Sequence, residues 1–162
     1  MNVAVRSLTA DLPRRRFSAT DLPKSDLLRL LVRAAGADLV VGVENTLQLA
    51  DEVLVEPDLA VFPRAAVLPD SPFIKLRGED VLLVIEIALT SLAYDRGAKA
   101  AVYARHGIRE YWVVDPEHHR AWVHTGPSEE GWGTVEERGR EAVLAPKAPE
   151  LASFHVALAQ IG

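Results

Sequence analysis

The stretch Val81-Leu-Leu-Val-Ile-Glu-Ile87 decides how this chain folds. Its nearly continuous run of apolar residues, several of them β-branched, predicts a central strand that is buried on both faces. Glu86 stands inside that run, where a carboxylate is costly unless it is paired, hydrogen-bonded or bound to a metal ion. The stretch therefore predicts both the middle of a sheet and a residue with a functional role.

The residues before this strand predict one helix and further strands. Leucines at helical spacing follow Ser25 and Asp26, either of which can cap the start of a helix that ends near Gly36. Apolar residues that roughly alternate over 40–49 predict one or two strands, and 53–62 predicts a second extended stretch. The first half of the chain thus supplies a covering helix and neighbours for the central strand.

The residues after the central strand predict another helix and a hairpin. Alanine-rich 92–106 favours a helix, and Gly107 is a natural stop for it. Further strands are predicted at 110–115, 120–125, 131–138 and 142–144, and the apolar segment 151–161 is expected to dock on the core. The order of elements predicts an α/β (α+β) fold in which a mixed central β-sheet is flanked by helices.

Length and composition set the outer limits. The chain has 162 residues, for which we expect an N-terminal arm over 1–25 and a single domain over 26–162. It has no cysteine, which excludes disulfides, a thiolate nucleophile and a cysteine-based zinc site. No signal peptide or membrane-spanning helix is predicted, so a cytoplasmic protein without membrane contact is expected. The net charge of −5 argues against a protein that coats nucleic acid, but not against a nuclease with metal-binding carboxylates.

Three spaced residues predict a candidate active site. Asp58 follows a proline near one strand, Glu86 lies near the end of the central strand, and Lys99 lies on the predicted helix. Two carboxylates near strand ends can hold a divalent metal ion, and a nearby lysine can orient water or stabilise developing negative charge. This combination is the one that a metal-dependent phosphodiesterase requires.

Longer motifs around these residues resemble a known family. They are Val55-Glu-Pro-Asp-Leu-Ala-Val-Phe62, Leu83-Val-Ile-Glu-Ile-Ala88, Ser91-Leu-Ala-Tyr-Asp-Arg-Gly-Ala-Lys99 and Tyr103-Ala-Arg-His-Gly-Ile-Arg-Glu-Tyr-Trp-Val-Val-Asp115. Together they resemble the Uma family of endonucleases, which belongs to the restriction-endonuclease-like PD-(D/E)xK superfamily. The resemblance implies a restriction-endonuclease-like fold and a hydrolase that cuts DNA with Mg²⁺ or Mn²⁺ as its cofactor. It also implies a homodimer.

The resemblance also implies roles for individual residues. Asp58 and Glu86 would be metal ligands, with the backbone carbonyl of Ile87 as a third, and Lys99 would be the catalytic lysine that has moved from the strand to the helix. Lys99 lies one helical turn after Asp95, so Asp95 could orient it. Ser91 and Tyr103 belong to the same motifs and are supporting residues, although Tyr103 by itself is more typical of a core aromatic.

Two departures from the family pattern leave an alternative open. The family's acidic residue on a first helix has no clear counterpart, and Asp26 and Glu44 are the candidates for it. Leu89 stands at a position that is polar in the family. The alternative to an active nuclease is a catalytically inactive, nuclease-like module that binds nucleic acid or a protein partner, and a structural assembly subunit is a third option.

Overall fold

The computed structural model describes residues 21–69 and 71–161. The helices are α1 (Asp21–Ala34), α2 (Leu92–Tyr94) and α3 (Ala100–Arg105), and a π-helical turn over Asp95–Lys99 joins the last two. The strands are β1 (Leu39–Val43), β2 (Leu47–Ala50), β3 (Val53–Val55), β4 (Leu59–Pro63), β5 (Ile74–Lys75), β6 (Leu83–Ile87), β7 (Glu110–Asp115), β8 (Arg120–Ser128), β9 (Gly131–Arg138), β10 (Val143–Leu144) and β11 (Val156–Ala157). Short 3₁₀ turns cover Arg64–Ala66, Gly78–Asp80, Pro149–Leu151 and Leu158–Gln160. Within the described ranges, no helix is long and apolar enough to cross a membrane.

The central sheet has six strands in the order β1-β4-β6-β7-β8-β9. Strands β6 and β7 are parallel, and the other neighbouring pairs in this sheet are antiparallel. The parallel pair needs a crossover connection, which the helical segment 92–105 supplies. All five residues of β6 are buried, as predicted from the apolar run. The predicted mixed sheet flanked by a few helices is therefore confirmed.

The stretch 53–62 was predicted as one extended segment, and this prediction is wrong. It forms two strands in different sheets, because β3 pairs with β2 in a small sheet of order β3-β2-β5 whereas β4 joins the central sheet. The chain leaves one sheet for the other at Glu56-Pro57-Asp58, where proline has no N–H to donate to a ladder. The same break leaves Asp58 immediately before β4, which begins at Leu59.

The first helix begins earlier than the sequence predicts. It starts at Asp21 rather than at Ser25 or Asp26, so residues 21–25, which were assigned to the N-terminal arm, are helical. Pro23 lies in the first turn, where its missing N–H has no intrahelical partner to lose. The remainder of the predicted arm, residues 1–20, lies outside the described residues.

The other predicted elements are confirmed within a few residues. The second helical segment ends at Arg105, and Gly107 follows it with a left-handed φ of 78°, which glycine adopts without strain. Strands β7 and β8 form the predicted hairpin, with Glu110 opposite Thr125 and Asp115 opposite Arg120. The C-terminal segment docks as expected, and its residues Leu151, Phe154, Val156, Leu158 and Ile161 are buried.

The two faces of β6 have different neighbours. Leu83, Ile85 and Ile87 point into a core that α1 and the C-terminal segment cover. Val84 points to the opposite side, into the core that also contains Ala100 and Tyr103 of α3. Side chains alternate along a strand, so Glu86 must share the face of Val84. The alternation therefore directs the one carboxylate of β6 towards the helical segment that carries Lys99.

Gly78 is expected to be essential for the close packing of the helical segment 92–105 on the rest of the fold. A Cβ atom on Gly78 would lie 1.9 Å from the carbonyl oxygen and 2.8 Å from the carbonyl carbon of His106, just after α3. Backbone atoms cannot yield as a flexible side chain can, so Gly78→Ala should lower the free energy of unfolding by at least about 2 kcal/mol. Urea unfolding followed by circular dichroism measures this. Gly36→Ala is the control, because a Cβ there meets nothing within 4 Å, and equal stability of the two variants would contradict the prediction.

Candidate active site

Asp58 and Glu86 meet because β4 and β6 run antiparallel. Leu59 lies opposite Ile85, which places Asp58 and Glu86 at the next step of the ladder. The backbone N–H of Ile87 donates to Asp58 Oδ2 at 2.8 Å, and the backbone N–H of Asp58 approaches Glu86 Oε2 at 3.4 Å. Each carboxylate is thus held by the backbone of the other strand, which fixes the pair with little side-chain freedom.

Lys99 closes the site from the helical segment. Its Nζ lies 2.8 Å from Glu86 Oε1 and 3.7 Å from Asp95 Oδ1. The predicted pairing of Asp95 and Lys99 on one helical face is therefore present, and the hydroxyl of Ser91 donates to the other oxygen of Asp95. Asp95 and Lys99 both lie on the π-helical turn, a feature that is frequent at functional sites. The sequence did not predict that turn.

Tyr103 is both a core residue and part of the site. Its side chain is fully buried, as expected for a core aromatic, and its hydroxyl donates to Glu86 Oε1 at 2.9 Å. Burial and the neighbouring Glu86 hold the pKa of Tyr103 well above its usual range, so the hydroxyl keeps its proton and acts as a donor. Glu86 Oε1 therefore receives a neutral and a charged hydrogen bond.

The electrostatics of Glu86 follow from its depth in the sheet. Burial raises the pKa of Glu86 to about 7, the attraction of Lys99 opposes this rise, and the negative charge of Asp58 adds to it. The residue stands where the sequence placed a costly carboxylate, and Lys99 and Tyr103 are the partners that compensate for its burial. A further positive charge beside Glu86 would favour its ionised form.

Lys24 of α1 also belongs to the site, and sequence reasoning missed it. Its Nζ lies 2.5 Å from Asp58 Oδ1 and 2.6 Å from Glu44 Oε1. Burial lowers the pKa of Lys24, but its hydrogen bonds to Asp58 and Glu44 outweigh burial and raise the pKa overall, so the ammonium is charged. Of the two candidates for the acidic residue of the first helix, the structure brings Glu44 here, whereas Asp26 pairs with Arg29 at 3.0 Å on the exposed side of α1.

The donor chemistry of this cluster fits a divalent cation. Among the described residues, the carboxylates of Glu44, Asp58, Glu86 and Asp95 lie against the ammonium groups of Lys24 and Lys99. Mg²⁺ is commonly held by one or two carboxylates, with water and substrate phosphate completing its shell. A complete protein cage is not built: residues 21–69 and 71–161 contain no group of three or more acidic or histidine side chains placed to hold a metal ion. The contact that the structure gives for Ile87 is its N–H on Asp58, and its carbonyl as a third ligand stays a prediction.

A groove of about 760 Å³ leads away from Lys99. One wall is the helical segment with Tyr94, Arg105 and His106, and the other is formed by β3 and by residues just before β5. Three large apolar side chains in this groove are solvent-exposed: Tyr94 at 60%, Leu54 at 49% and Phe73 at 41%. Exposed apolar surface next to a charged cluster is typical of a ligand-binding surface.

Known proteins resemble this chain in sequence pattern and in fold. The model of the family described as "Uma2: Putative restriction endonuclease" matches residues 16–158. Among solved structures, a protein from Anabaena variabilis that is described as a putative nuclease belonging to DUF820 has a similar fold, with a TM-score of 0.66 at 15% sequence identity. The match covers 86% of this chain and 78% of that one. No protein of curated function matches the sequence.

Proposed function

Because the chain belongs to the Uma2 family, described as putative restriction endonucleases, we propose that it is a metal-dependent endonuclease that hydrolyses DNA phosphodiester bonds. The observation that carries the proposal is the contact of Asp58 with Glu86 across β4 and β6, with Lys99 Nζ 2.8 Å from Glu86. Two fixed carboxylates and a lysine are what hydrolysis of a phosphodiester needs from the protein.

Asp58 and Glu86 are the residues that would hold Mg²⁺ or Mn²⁺ in this proposal. The ion, when bound, would offset charge on the phosphate and lower the pKa of a water molecule. Tyr103 holds the orientation of Glu86, and Ser91 holds that of Asp95. The carboxylates of Glu86 and Asp95 would therefore be fixed before the substrate arrives, so that little reorganisation remains for the reaction.

Lys99 would contact the scissile phosphate or the attacking water. Among the described residues its ammonium pairs with Glu86 and Asp95, and an ammonium has three N–H groups, so one donor remains for a substrate oxygen. Its side chain is 20% exposed and lines the groove, so that donor is within reach of a ligand. Asp95 lies 3.7 Å from the ammonium and would orient it, and the bound metal ion would offset the negative charge of the carboxylates when the phosphate approaches.

The groove supports DNA as the partner. Tyr94 and Phe73 offer exposed rings to nucleobases, and Lys99 and Arg105 offer positive charge to the backbone. Aromatic rings interleaved with cations are typical of surfaces that bind unstacked or single-stranded nucleic acid. The homodimer and the cytoplasmic location expected from the sequence stay predictions.

The proposed function is tested by incubating the purified protein with supercoiled plasmid DNA and Mg²⁺ or Mn²⁺. Nicked or linear product is expected with either metal and none with excess EDTA, because the carboxylates need the ion to approach a phosphate. Asp58→Asn is the matched variant, since it keeps the size of the side chain and removes the charge. DNA binding without cleavage under every metal condition would contradict the proposal and favour the inactive, nucleic-acid-binding module.

Replacing Tyr94 tests the role of the groove. Tyr94→Ala is expected to weaken DNA binding by about tenfold, since stacking of one base on an aromatic ring contributes about 1–3 kcal/mol. Fluorescence anisotropy with labelled single-stranded and duplex oligonucleotides in Ca²⁺ measures the loss without cleavage. Tyr94→Phe keeps the ring and should bind as the wild type does. Unchanged affinity of Tyr94→Ala for DNA would show that the groove is not part of the DNA-binding surface. A change in the oligomeric state of the protein instead of a change in affinity would show the same.

A further inference from the structure

We propose that the ammonium of Lys24 is a built-in cation, which occupies a second cation position between Asp58 and Glu44 and limits the site to one divalent ion. This inference rests on the proposed function, because it concerns the metal chemistry of the same site. Many phosphodiester-cleaving sites clamp the two reacting oxygens between two metal ions. Here the ammonium of Lys24 from α1 already lies between the carboxylates that a second ion would use.

The contacts of Lys24 are those of a cation held in a cage. Its Nζ bridges Asp58 Oδ1 at 2.5 Å and Glu44 Oε1 at 2.6 Å, and its side chain is only 12% exposed. The other oxygen of Asp58 accepts the N–H of Ile87. Asp58 is thus engaged at both oxygens before any metal ion arrives, and an incoming ion must share it with Lys24.

The position of Lys24 is set by the core. Lys24, Leu27 and Leu31 lie on one face of α1 at spacings of three and four residues, and both leucines are fully buried. The helix therefore delivers the lysine stem from its buried face, and the ammonium reaches Asp58 without the freedom of a surface side chain. A lysine placed in this way is a fixed part of the site.

Glu44 is placed by unusual backbone geometry. Its φ is 50°, in the left-handed region that non-glycine residues rarely adopt and that costs free energy to hold. Its N–H donates to the carbonyl oxygen of Asp58 at 3.2 Å, which keeps the two residues side by side where β1 ends and β4 begins. The free-energy cost of this conformation is consistent with a role in which the carboxylate of Glu44 must face Lys24 and Asp58.

Removing the charge of Lys24 should open the second position. In Lys24→Gln the ammonium between Asp58 and Glu44 is gone, so the number of Mn²⁺ ions bound per chain should rise from one to two. The first ion should also bind about tenfold more tightly, because one repelling positive charge a few ångströms away is gone. Lys24→Met, which keeps an unbranched apolar side chain at this position of α1, should behave in the same way if Lys24→Gln proves unstable.

Isothermal titration with MnCl₂ measures both quantities on the full chain without DNA. Lys75→Gln is the control, because Lys75 pairs with Asp51 at 3.1 Å on the surface and its loss changes the net charge equally. Two ions in the wild type, or one ion of unchanged affinity in both Lys24 variants, would overturn the inference and leave the proposed nuclease standing. No binding in any protein, with no cleavage of plasmid in Mn²⁺, would instead overturn the proposed metal dependence.

Discussion

Glu86→Gln is expected to abolish metal-dependent DNA cleavage, lowering its rate by at least about a thousandfold. Glutamine has the shape of glutamate and can still accept the hydrogen bond from Tyr103, so the core should stay intact. It has no negative charge to bind a divalent ion or to hold Lys99, which lies 2.8 Å from Glu86 Oε1. Initial rates of plasmid nicking in Mg²⁺, at equal protein concentration, measure the effect.

Glu110 provides a matched control for this change. It is also a buried glutamate on a central strand, and burial raises its pKa as well. It accepts hydrogen bonds from Trp112 Nε1 and the N–H of Lys147, both at 2.7 Å, on the opposite face of the sheet from Glu86. Glu110→Gln should keep full activity, whatever it does to stability. Wild-type rates in Glu86→Gln, or equal losses in the two variants, would show that Glu86 has no special role.

The sequence predicted the parts of this site that depend on local patterns. The apolar run around Glu86 identified β6, the alanine-rich helix identified the segment with Lys99, and the order of elements predicted a mixed sheet flanked by helices. Alternation along β6 puts Glu86 on the face of Val84, whereas the structure shows that the helical segment covers that face. Period and order are properties of neighbouring residues, so they can be derived without knowing how distant segments pack.

The parts that were missed depend on which distant surfaces meet. Nothing in the leucine pattern of α1 indicates that Lys24 reaches Asp58, because this contact forms only when Leu27 and Leu31 pack α1 against the sheet. That Glu44 reaches the site and Asp26 does not likewise depends on the left-handed φ of Glu44, the residue that follows β1. Residues 21–25 were assigned to the N-terminal arm, although Pro23 fits the first turn of a helix. The packing of the core and the turns of the chain determine these contacts, and the local propensities of the residues do not.

Lys99→Met is expected to lower the turnover of DNA by about a hundredfold to a thousandfold, with a smaller change in the KM for DNA. Methionine keeps an unbranched stem of similar length but has no ammonium to place near the phosphate. Lys99→Arg should recover only part of the activity, since a planar guanidinium cannot reproduce the contacts of an ammonium with Glu86 and Asp95.

Arg96→Met is the control for Lys99→Met on the same π-helical turn. Its guanidinium lies 4.2 Å above the ring of Trp122, away from the carboxylates, so its loss removes one positive charge without touching the site. Activity of Arg96→Met close to that of the wild type is expected. Equal losses of turnover in the two variants would mean that general charge, rather than the position of Lys99, sustains the reaction.

A second readout separates the electrostatic role of Lys99 from damage to the fold. Burial raises the pKa of Glu86 from its ordinary value of 4.5 to about 7, and Lys99 opposes that rise. The folded protein therefore binds more protons at Glu86 than the unfolded chain does between these values, and this residue destabilises the fold as the pH increases through that window. Without Lys99 the pKa of Glu86 rises further, so the window extends upward. Below about pH 6 Glu86 is protonated in both folded proteins, so the melting temperature of metal-free Lys99→Met should fall further below that of the wild type only as the pH rises through about 7, the pKa of Glu86 in the wild type. A difference in melting temperature that stays constant through this pH would contradict the pairing of Lys99 with Glu86.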